Sequence, residues 1–176
     1  EEMVHGIPGK RKLTEGDIIS VDCGTVYEGF VGDSAFTVGV GEISAEAQQL
    51  IDVTKQALEI ATALMVPGNR SGDVGSAIEA YVESHGFRCT HTYTGHGVGR
   101  EMHESPQLTN YGAPGEGFLL REGMTIAIEP MVLIGTRSTK TLRNQWTVVS
   151  VNRQLTAHQE NTIAVTKEGP LVLTSL

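Results

Sequence analysis

Residues 18–40 read IISVDCGTVYEGFVGDSAFTVGV, two stretches rich in β-branched residues on either side of a tight-turn signal at residues 27–29. This arrangement predicts a β-hairpin. If the turn is a two-residue loop, Asp22 lies opposite Ala35, and Asp33 lies diagonally across from Asp22 on the same face. The hairpin therefore predicts two carboxylates on one face, about 7–8 Å apart.

Two carboxylates at that separation can bind a cation between them. Without a cation the like charges repel each other, and one carboxylate tends to stay protonated. The alternative is that Asp22 and Asp33 both point into water, as most acidic side chains do. The pair by itself leaves both possibilities open.

Two helical patterns and then mostly β-type sequence follow the hairpin. Ser44 is a candidate N-cap for a helix whose apolar residues recur at helical spacing over residues 47–65. A second helix is predicted from a Ser71 cap to a stop at Gly86. Residues 1–16 and 95–117 are predicted to be loops, and strands are predicted at 87–94, 124–134, 141–151, 161–166 and 170–174. This order predicts an α+β fold with helices on one face of a mainly antiparallel sheet.

Composition excludes several classes of protein. The 176 residues carry a net charge of −8, whereas nucleic-acid binders carry a basic footprint. Only two cysteines occur, Cys23 and Cys89, which excludes a disulfide scaffold and fits reduced thiols in the cytoplasm. No signal peptide is visible, and the longest apolar run, residues 60–66, is too short to cross a bilayer. We therefore expect a cytoplasmic protein without nucleic-acid or membrane partners.

A glycine-rich stretch at residues 94–104 carries two histidines. His96 stands between two glycines, which permit close backbone approach, and His103 follows seven residues later. Histidine is a common metal ligand and acid–base group. The alternative is a flexible surface loop, and the glycine spacing matches neither nucleotide-binding fingerprint.

Two glutamates occupy the ends of apolar β-type runs. Glu129 ends the run at residues 126–128, and Glu160 precedes the run at 163–165. Each alone could be an ordinary strand-end charge. Together with the two aspartates and His96 they form an oxygen-rich set that can bind two divalent ions about 3.5–4 Å apart, which is hydrolytic machinery. The lone tryptophan, Trp146, could line a pocket or simply pack.

In their order and spacing, these motifs resemble the type I methionine aminopeptidases of the pita-bread metallopeptidase superfamily. The resemblance runs over nearly the whole chain. It rests on Val4-His5-Gly6-Ile7-Pro8, the hairpin with Asp22 and Asp33, Gly95-His96-Gly97-Val98-Gly99, Ile128-Glu129-Pro130-Met131 and Glu160-Asn161-Thr162. It implies a pita-bread fold, with a curved antiparallel sheet and helices on its outer face.

The resemblance also implies a role for each residue. Asp22 is expected to chelate one ion, whereas Asp33 and Glu160 bridge both ions, and His96 and Glu129 complete the second site. The candidate metals are Co²⁺, Mn²⁺, Fe²⁺ and Zn²⁺. A water between the ions attacks the scissile amide, and Glu129 shuttles protons. His103 polarises the scissile peptide group, His5 contacts the substrate near its amine or amide nitrogen, and Trp146 and Met131 lie near the substrate pocket.

Two departures from the family pattern stand out. The usual Glu-His-Thr of the last motif is Glu160-Asn161-Thr162 here, which leaves the role of the middle residue open. Family members also carry several dozen residues before His5, so we expect residues 1–176 to form one catalytic domain truncated at its N-terminus. The part expected to be missing contributes to the methionine side-chain pocket.

The leading hypothesis is a monomeric, cytoplasmic, dinuclear metalloenzyme that removes the initiator methionine from nascent chains. Its substrate is a peptide or nascent-protein N-terminus, and the ribosome is a further expected partner. One alternative is a proline-directed relative, an Xaa-Pro aminopeptidase or dipeptidase. The other is an inactive pita-bread protein that only binds partners.

Overall fold

A computed structural model describes residues 1–175 of the chain. Within this range there are two helices, α1 (Ala45–Ala63) and α2 (Ser71–Ser84), and thirteen strands. The strands are β1 (Glu2–Val4), β2 (Ile18–Tyr27), β3 (Phe30–Gly39), β4 (Phe87–Cys89), β5 (Gly95–Gly97), β6 (Glu104–Leu108), β7 (Thr125–Ile128), β8 (Met131–Ile134), β9 (Thr139–Thr141), β10 (Val148–Ser150), β11 (Thr156–His158), β12 (Glu160–Thr166) and β13 (Gly169–Val172).

The strands form three sheets. The largest has the order β2-β3-β12-β7-β5-β6, and β13 pairs with β12 beside this path. Two smaller sheets have the orders β1-β10-β9 and β11-β8-β4. Every strand pair in the described part of the chain is antiparallel, as the sequence predicted.

The hairpin of β2 and β3 has the predicted register. Tyr27 pairs with Phe30, and Asp22 pairs with Ala35. The two turn residues both have positive φ, 51° at Glu28 and 81° at Gly29. Positive φ at both central positions is the signature of a type I′ turn, whose twist matches that of the flanking strands. The two-residue turn therefore sets which side chains share a face.

Both predicted helices are present, although one cap differs. Ser44 caps α1 by accepting a hydrogen bond from the Ala47 N–H at 3.1 Å, as predicted. The prediction that Ser71 caps α2 is wrong, because Arg70 occupies the N-cap position. There the Asp73 carboxylate accepts the Arg70 N–H at 2.7 Å. Ser71 Oγ instead accepts the N–H of Phe118, so it joins α2 to a distant loop.

Three of the strand and loop predictions require correction. Residues 1–16 contain β1, and the predicted loop at 95–117 contains β5 and β6. The predicted strand at 124–134 is divided into β7 and β8 at Pro130, which lacks the N–H that a continuous ladder requires. Short strands such as β5 carry glycine rather than β-branched residues, so local propensity does not reveal them.

The remaining strand predictions differ in length. The stretch at 87–94 is strand only over β4, and the stretch at 141–151 is interrupted between β9 and β10. Strand β11 was not predicted.

The main apolar core lies between the two helices and the strands of two sheets, the large sheet and the sheet β11-β8-β4. It joins Leu50 and Ile78 of the helices to Ile126, Ile163 and others of the strands. Because side chains alternate along a strand, the residues between these core positions point to the opposite face. Neither helix in residues 1–175 is long and apolar enough to span a membrane.

Candidate metal centre

Three adjacent strands bring acidic residues into one row on the face opposite the helices. Ala35 of β3 pairs with Asp22 on one side and with Glu160 of β12 on the other. Asp33 precedes Ala35 by two residues and therefore shares its face. The strand register thus gathers three of the four predicted carboxylates, although Asp22 and Glu160 are far apart in the sequence.

His96 reaches the same face from β5. Its Nε2 lies 3.7 Å from Asp33 Oδ2 and 3.5 Å from Glu129 Oε1. Its Nδ1 lies 3.0 Å from the carbonyl oxygen of Gly97. When Nδ1–H donates to a carbonyl oxygen, Nε2 is unprotonated and its lone pair is free to bind a metal. Metal-binding histidines are commonly oriented in this way.

The two glycines beside His96 are required by close packing of backbones. A Cβ on Gly97 would lie 2.5 Å from the carbonyl oxygen of Ser105, and a Cβ on Gly95 would clash with the carbonyl oxygen of Ala127. Both glycines lie in a strand with neighbours on either side. This stretch is therefore a packed strand that holds His96 in place rather than a flexible surface loop.

Glu129 completes the group at the break between β7 and β8. Pro130 follows it, and the amide of the fully buried Asn110 donates a hydrogen bond to its carbonyl oxygen at 3.0 Å. Burial, together with the nearby Asp33 and Asp22 carboxylates, raises the pKa of Glu129 well above its usual value. The hydrogen bond from Asn110 fixes the Glu129 backbone. The side chain then lies where its negative charge is costly unless a cation is bound.

Glu160 experiences the same environment. Burial, followed by the charges of Glu129 and Asp33, raises its pKa to about 10. Its Oε1 is buried and has no hydrogen-bond partner among the described residues. Asp22, which is exposed at the edge of the group, also has a raised pKa because of partial burial and the Asp33 charge.

This donor set fits divalent metal. Ligand atoms of Asp33, His96 and Glu160 all lie within 4.8 Å of one another. Buried carboxylates repel each other in the absence of a cation, and carboxylate oxygens with one imidazole suit ions such as Mn²⁺, Fe²⁺, Co²⁺ or Zn²⁺. The group lines a cavity of about 260 Å³, whose wall also includes Asp22 and Glu129. All five predicted ligands therefore face one space.

A threonine holds the backbone at Asp33. Thr162 Oγ1 accepts the Asp33 N–H and donates to the Asp33 carbonyl oxygen, both at 2.9 Å. The side chain thus replaces a backbone partner at the point where the pairing of β3 and β12 has ended. Thr162 belongs to the last sequence motif, but this role was not predicted for it.

His5 and Trp146 form one side of the site. Their rings stack at 4.6 Å between centroids, and His5 lines the cavity. His5 has a φ of 60°, which is uncommon for a residue other than glycine. Its carbonyl oxygen accepts a hydrogen bond from Thr147 Oγ1 at 3.0 Å. Trp146 itself is 57% exposed and contacts the site through His5 rather than by lining the cavity.

The other two predicted site residues, His103 and Met131, line the cavity. His103 is exposed, and its ring centroid lies 4.4 Å from that of His96. Met131 is fully buried at the start of β8. The structure thus brings all nine predicted site residues to one region.

Asn161, the departure from the family pattern, points away from this region. Its Oδ1 accepts a hydrogen bond from Thr174 Oγ1 at 2.9 Å, and it pairs with Ile128 along the sheet. Adjacent strand residues point to opposite faces, so Asn161 faces away from the side chain of Glu160. The substitution therefore leaves the ligand set unchanged.

His158 was not predicted as a site residue. It is 2% exposed, and its Nε2 lies 3.6 Å from Glu129 Oε2 and 3.8 Å from Glu160 Oε2. Burial lowers its pKa to about 4. The one sequence signal for its position is its two-residue spacing from Glu160.

The comparisons with known proteins agree with this geometry. The family model for metallopeptidase family M24 matches residues 1–167. A methionine aminopeptidase of Clostridium acetobutylicum is 52% identical over 99% of this chain and 70% of its own length. The chain belongs to metallopeptidase family M24, among the methionine aminopeptidases. Methionine aminopeptidase 1 of Bacillus subtilis is 48% identical over the same shares of the two chains.

Solved structures confirm the pita-bread fold. Methionine aminopeptidase from Thermotoga maritima has a TM-score of 0.97 and 49% identity, covering all of this chain and 71% of its own. The one from Rickettsia prowazekii has a TM-score of 0.96 at 37% identity, covering 99% and 71%. Prolidase from Pyrococcus furiosus, at 24% identity, has a TM-score of 0.78, which shows a similar fold. The curved α+β architecture predicted from sequence is therefore confirmed.

Proposed function

We propose that this chain removes methionine from the N-terminus of peptides and nascent proteins by metal-dependent hydrolysis. The observation that carries the proposal is the convergence of five ligand-type side chains on one cavity, lined also by His5 and His103. Identity of 52% and 48% to two methionine aminopeptidases supports methionine as the residue removed.

Two divalent ions are proposed to bind here. Asp22 would hold one ion, Asp33 and Glu160 would bridge both, and His96 and Glu129 would hold the other. When bound, the ions supply Lewis acidity and lower the pKa of a coordinated water, so that a nucleophile exists near neutral pH. The sharing of two carboxylates between two ions accounts for four acids, three of them buried or half-buried, beside a single imidazole.

The protein groups supply proton transfer and orientation. Glu129 accepts a proton from the attacking water and returns one to the leaving amine, since its carboxylate reaches the cavity. His103, on the cavity wall, donates a hydrogen bond to the scissile carbonyl oxygen. His5 contacts the substrate near its amine or amide nitrogen, and the stacked Trp146 limits the rotation of the imidazole. Met131 provides apolar surface near the substrate side chain.

Substrates are proposed to carry a small second residue, and the ribosome is proposed to present them. We propose a monomer that acts in the cytoplasm. The two free thiols, Cys23 and Cys89, fit that compartment.

The test is peptide hydrolysis by metal-loaded protein. The chain is purified with EDTA, loaded with Co²⁺ or Mn²⁺, and offered Met-Ala-Ser and Ala-Pro-Ser at equal concentration. Released amino acids are measured by chromatography. Methionine release from the first peptide, abolished again by EDTA, is the expected result.

Other outcomes separate the alternatives. Release of alanine from Ala-Pro-Ser alone would favour a proline-directed peptidase. Uptake of two ions with no release from either peptide would favour a binding protein that lacks activity. A variant with both bridging ligands removed, Asp33→Ala/Glu160→Ala, is the negative control, since contaminating peptidases would survive it.

A further inference from the structure

His158 occupies a position that the proposed chemistry does not explain. It is 2% exposed, and its Nε2 has no hydrogen-bond partner among the described residues. That nitrogen faces two carboxylate oxygens, Glu129 Oε2 at 3.6 Å and Glu160 Oε2 at 3.8 Å. Buried polar atoms in folded proteins are nearly always paired, so an unpaired nitrogen beside two oxygens requires an explanation.

The backbone of His158 is firmly fixed. Thr37 Oγ1 accepts the His158 N–H and donates to the His158 carbonyl oxygen, both at 2.8 Å. His158 also pairs with Met131 in the ladder between β11 and β8. Because the backbone is held on both sides, the imidazole remains beside Glu129 and Glu160 and has little freedom to turn away.

His158 is set back from the cavity. His96, whose Nε2 has similar distances to carboxylates, lines the cavity wall, whereas His158 does not. An imidazole behind the ligands is placed to hold them rather than to bind an ion. Histidine also suits this task, because its Nε2–H is a donor whose direction is set by the ring.

We propose that His158 is a positioning residue: its Nε2, which lies 3.6 Å from Glu129 Oε2 and 3.8 Å from Glu160 Oε2, comes within hydrogen-bond distance of one of these carboxylates when metal binds, and its N–H then orients that ligand of the metal centre. The donor occupies one oxygen of a carboxylate and leaves the other directed at the cavity. Partners of this kind typically change metal affinity by about 10–100-fold when removed. The proposal rests on the metal centre of the proposed function and adds a residue to it.

The test compares two substitutions of similar size. His158→Gln keeps an N–H donor at about the distance of Nε2 from the backbone, and His158→Met has the same length without a donor. Each protein is titrated with Co²⁺ alone by isothermal calorimetry, after removal of metal. We expect His158→Gln to bind Co²⁺ within about threefold of the unsubstituted chain, and His158→Met to bind about 10–100-fold more weakly.

Equal affinity of the Met and Gln variants would overturn the proposal, because packing alone would then explain the residue. If circular dichroism shows that His158→Met does not fold, His158→Asn takes its place. Its amide is too short to reach the carboxylates, so it is expected to bind as weakly as the Met variant would. Affinity of His158→Asn equal to that of His158→Gln would likewise overturn the proposal.

Parallel assays distinguish this inference from the proposed function. If the unsubstituted chain binds Co²⁺ and releases methionine while all His158 variants bind equally well, only the positioning role fails. If the unsubstituted chain takes up no Co²⁺, the metal centre fails and the positioning role fails with it.

Discussion

Replacing Thr162 with valine should weaken both the fold and the metal centre through the backbone of Asp33. Thr162 is 1% exposed. Its hydroxyl accepts a hydrogen bond from the Asp33 N–H and donates one to the Asp33 carbonyl oxygen, both at 2.9 Å. Valine has nearly the same shape as threonine but lacks the hydroxyl, so the substitution leaves the two Asp33 backbone groups without their partner. The expected loss is therefore one of hydrogen bonding alone.

The magnitude follows from those two bonds. Each contributes a net of about 0.5–1.5 kcal/mol, and a buried backbone group left without a partner costs about 1–3 kcal/mol. We expect Thr162→Val to lower the free energy of unfolding by about 3 kcal/mol. Thr162→Ser keeps the hydroxyl and loses only a buried methyl group, which should cost about 1 kcal/mol.

Urea unfolding in EDTA, followed by far-ultraviolet circular dichroism, measures both variants. The midpoint should fall without a change in the slope of free energy against urea, since the surface exposed on unfolding is unchanged. Co²⁺ affinity should fall for the valine variant and remain close to normal for the serine variant. A valine variant as stable as the serine variant would refute the reasoning, because the hydroxyl would then contribute nothing.

Three further predictions concern the site. Asp33→Ala or Glu160→Ala should abolish methionine release, measured by chromatography of the released amino acid, and normal turnover in either variant would contradict the ligand assignment. In EDTA, thermal stability should decline as pH rises from about 5 towards 9. The pKa of Glu160 is raised in the folded chain to about 10 from 4.5, so the folded chain binds more protons than the unfolded chain over that range. Saturating Co²⁺ should remove the decline, because it binds the ionised carboxylates. A melting temperature that rises with pH in EDTA would contradict the raised pKa of Glu160 and Glu129. Trp146→Ala should lower kcat/KM about tenfold or less by freeing the His5 ring, because a stacked aromatic pair contributes about 0.5–1.5 kcal/mol. Trp146→Phe should retain most of the activity. Equal rates for the two variants would show that stacking on His5 does not contribute to activity.

Several parts of the fold could be predicted because their causes are local. The hairpin register followed from a two-residue turn, which sets every cross-strand pair in β2 and β3. The start of α1 followed from Ser44, whose hydroxyl caps the adjacent helix. Glu129 was predicted to end an apolar β-type run, and β7 ends immediately before it at Ile128.

Other features depended on groups distant in the sequence. The N-cap of α2 was misplaced because Ser71 bonds Phe118 instead of its own helix. Strand β5, which carries His96, was missed because its glycines allow a close approach of neighbouring backbones, a requirement that exists only once β5 lies between β6 and β7. Propensity describes a residue's own conformation and not its neighbours across the sheet.

The sequence by itself determined the chemistry of the site: the carboxylates, the histidines and the order of motifs that marks the family. Only the tertiary structure decided which groups support them, namely Thr162 bonded to Asp33 across 129 residues and His158 set behind Glu129 and Glu160. The physical reason is that ligand type belongs to each side chain, whereas orientation and burial arise from strand pairing between segments far apart in the chain.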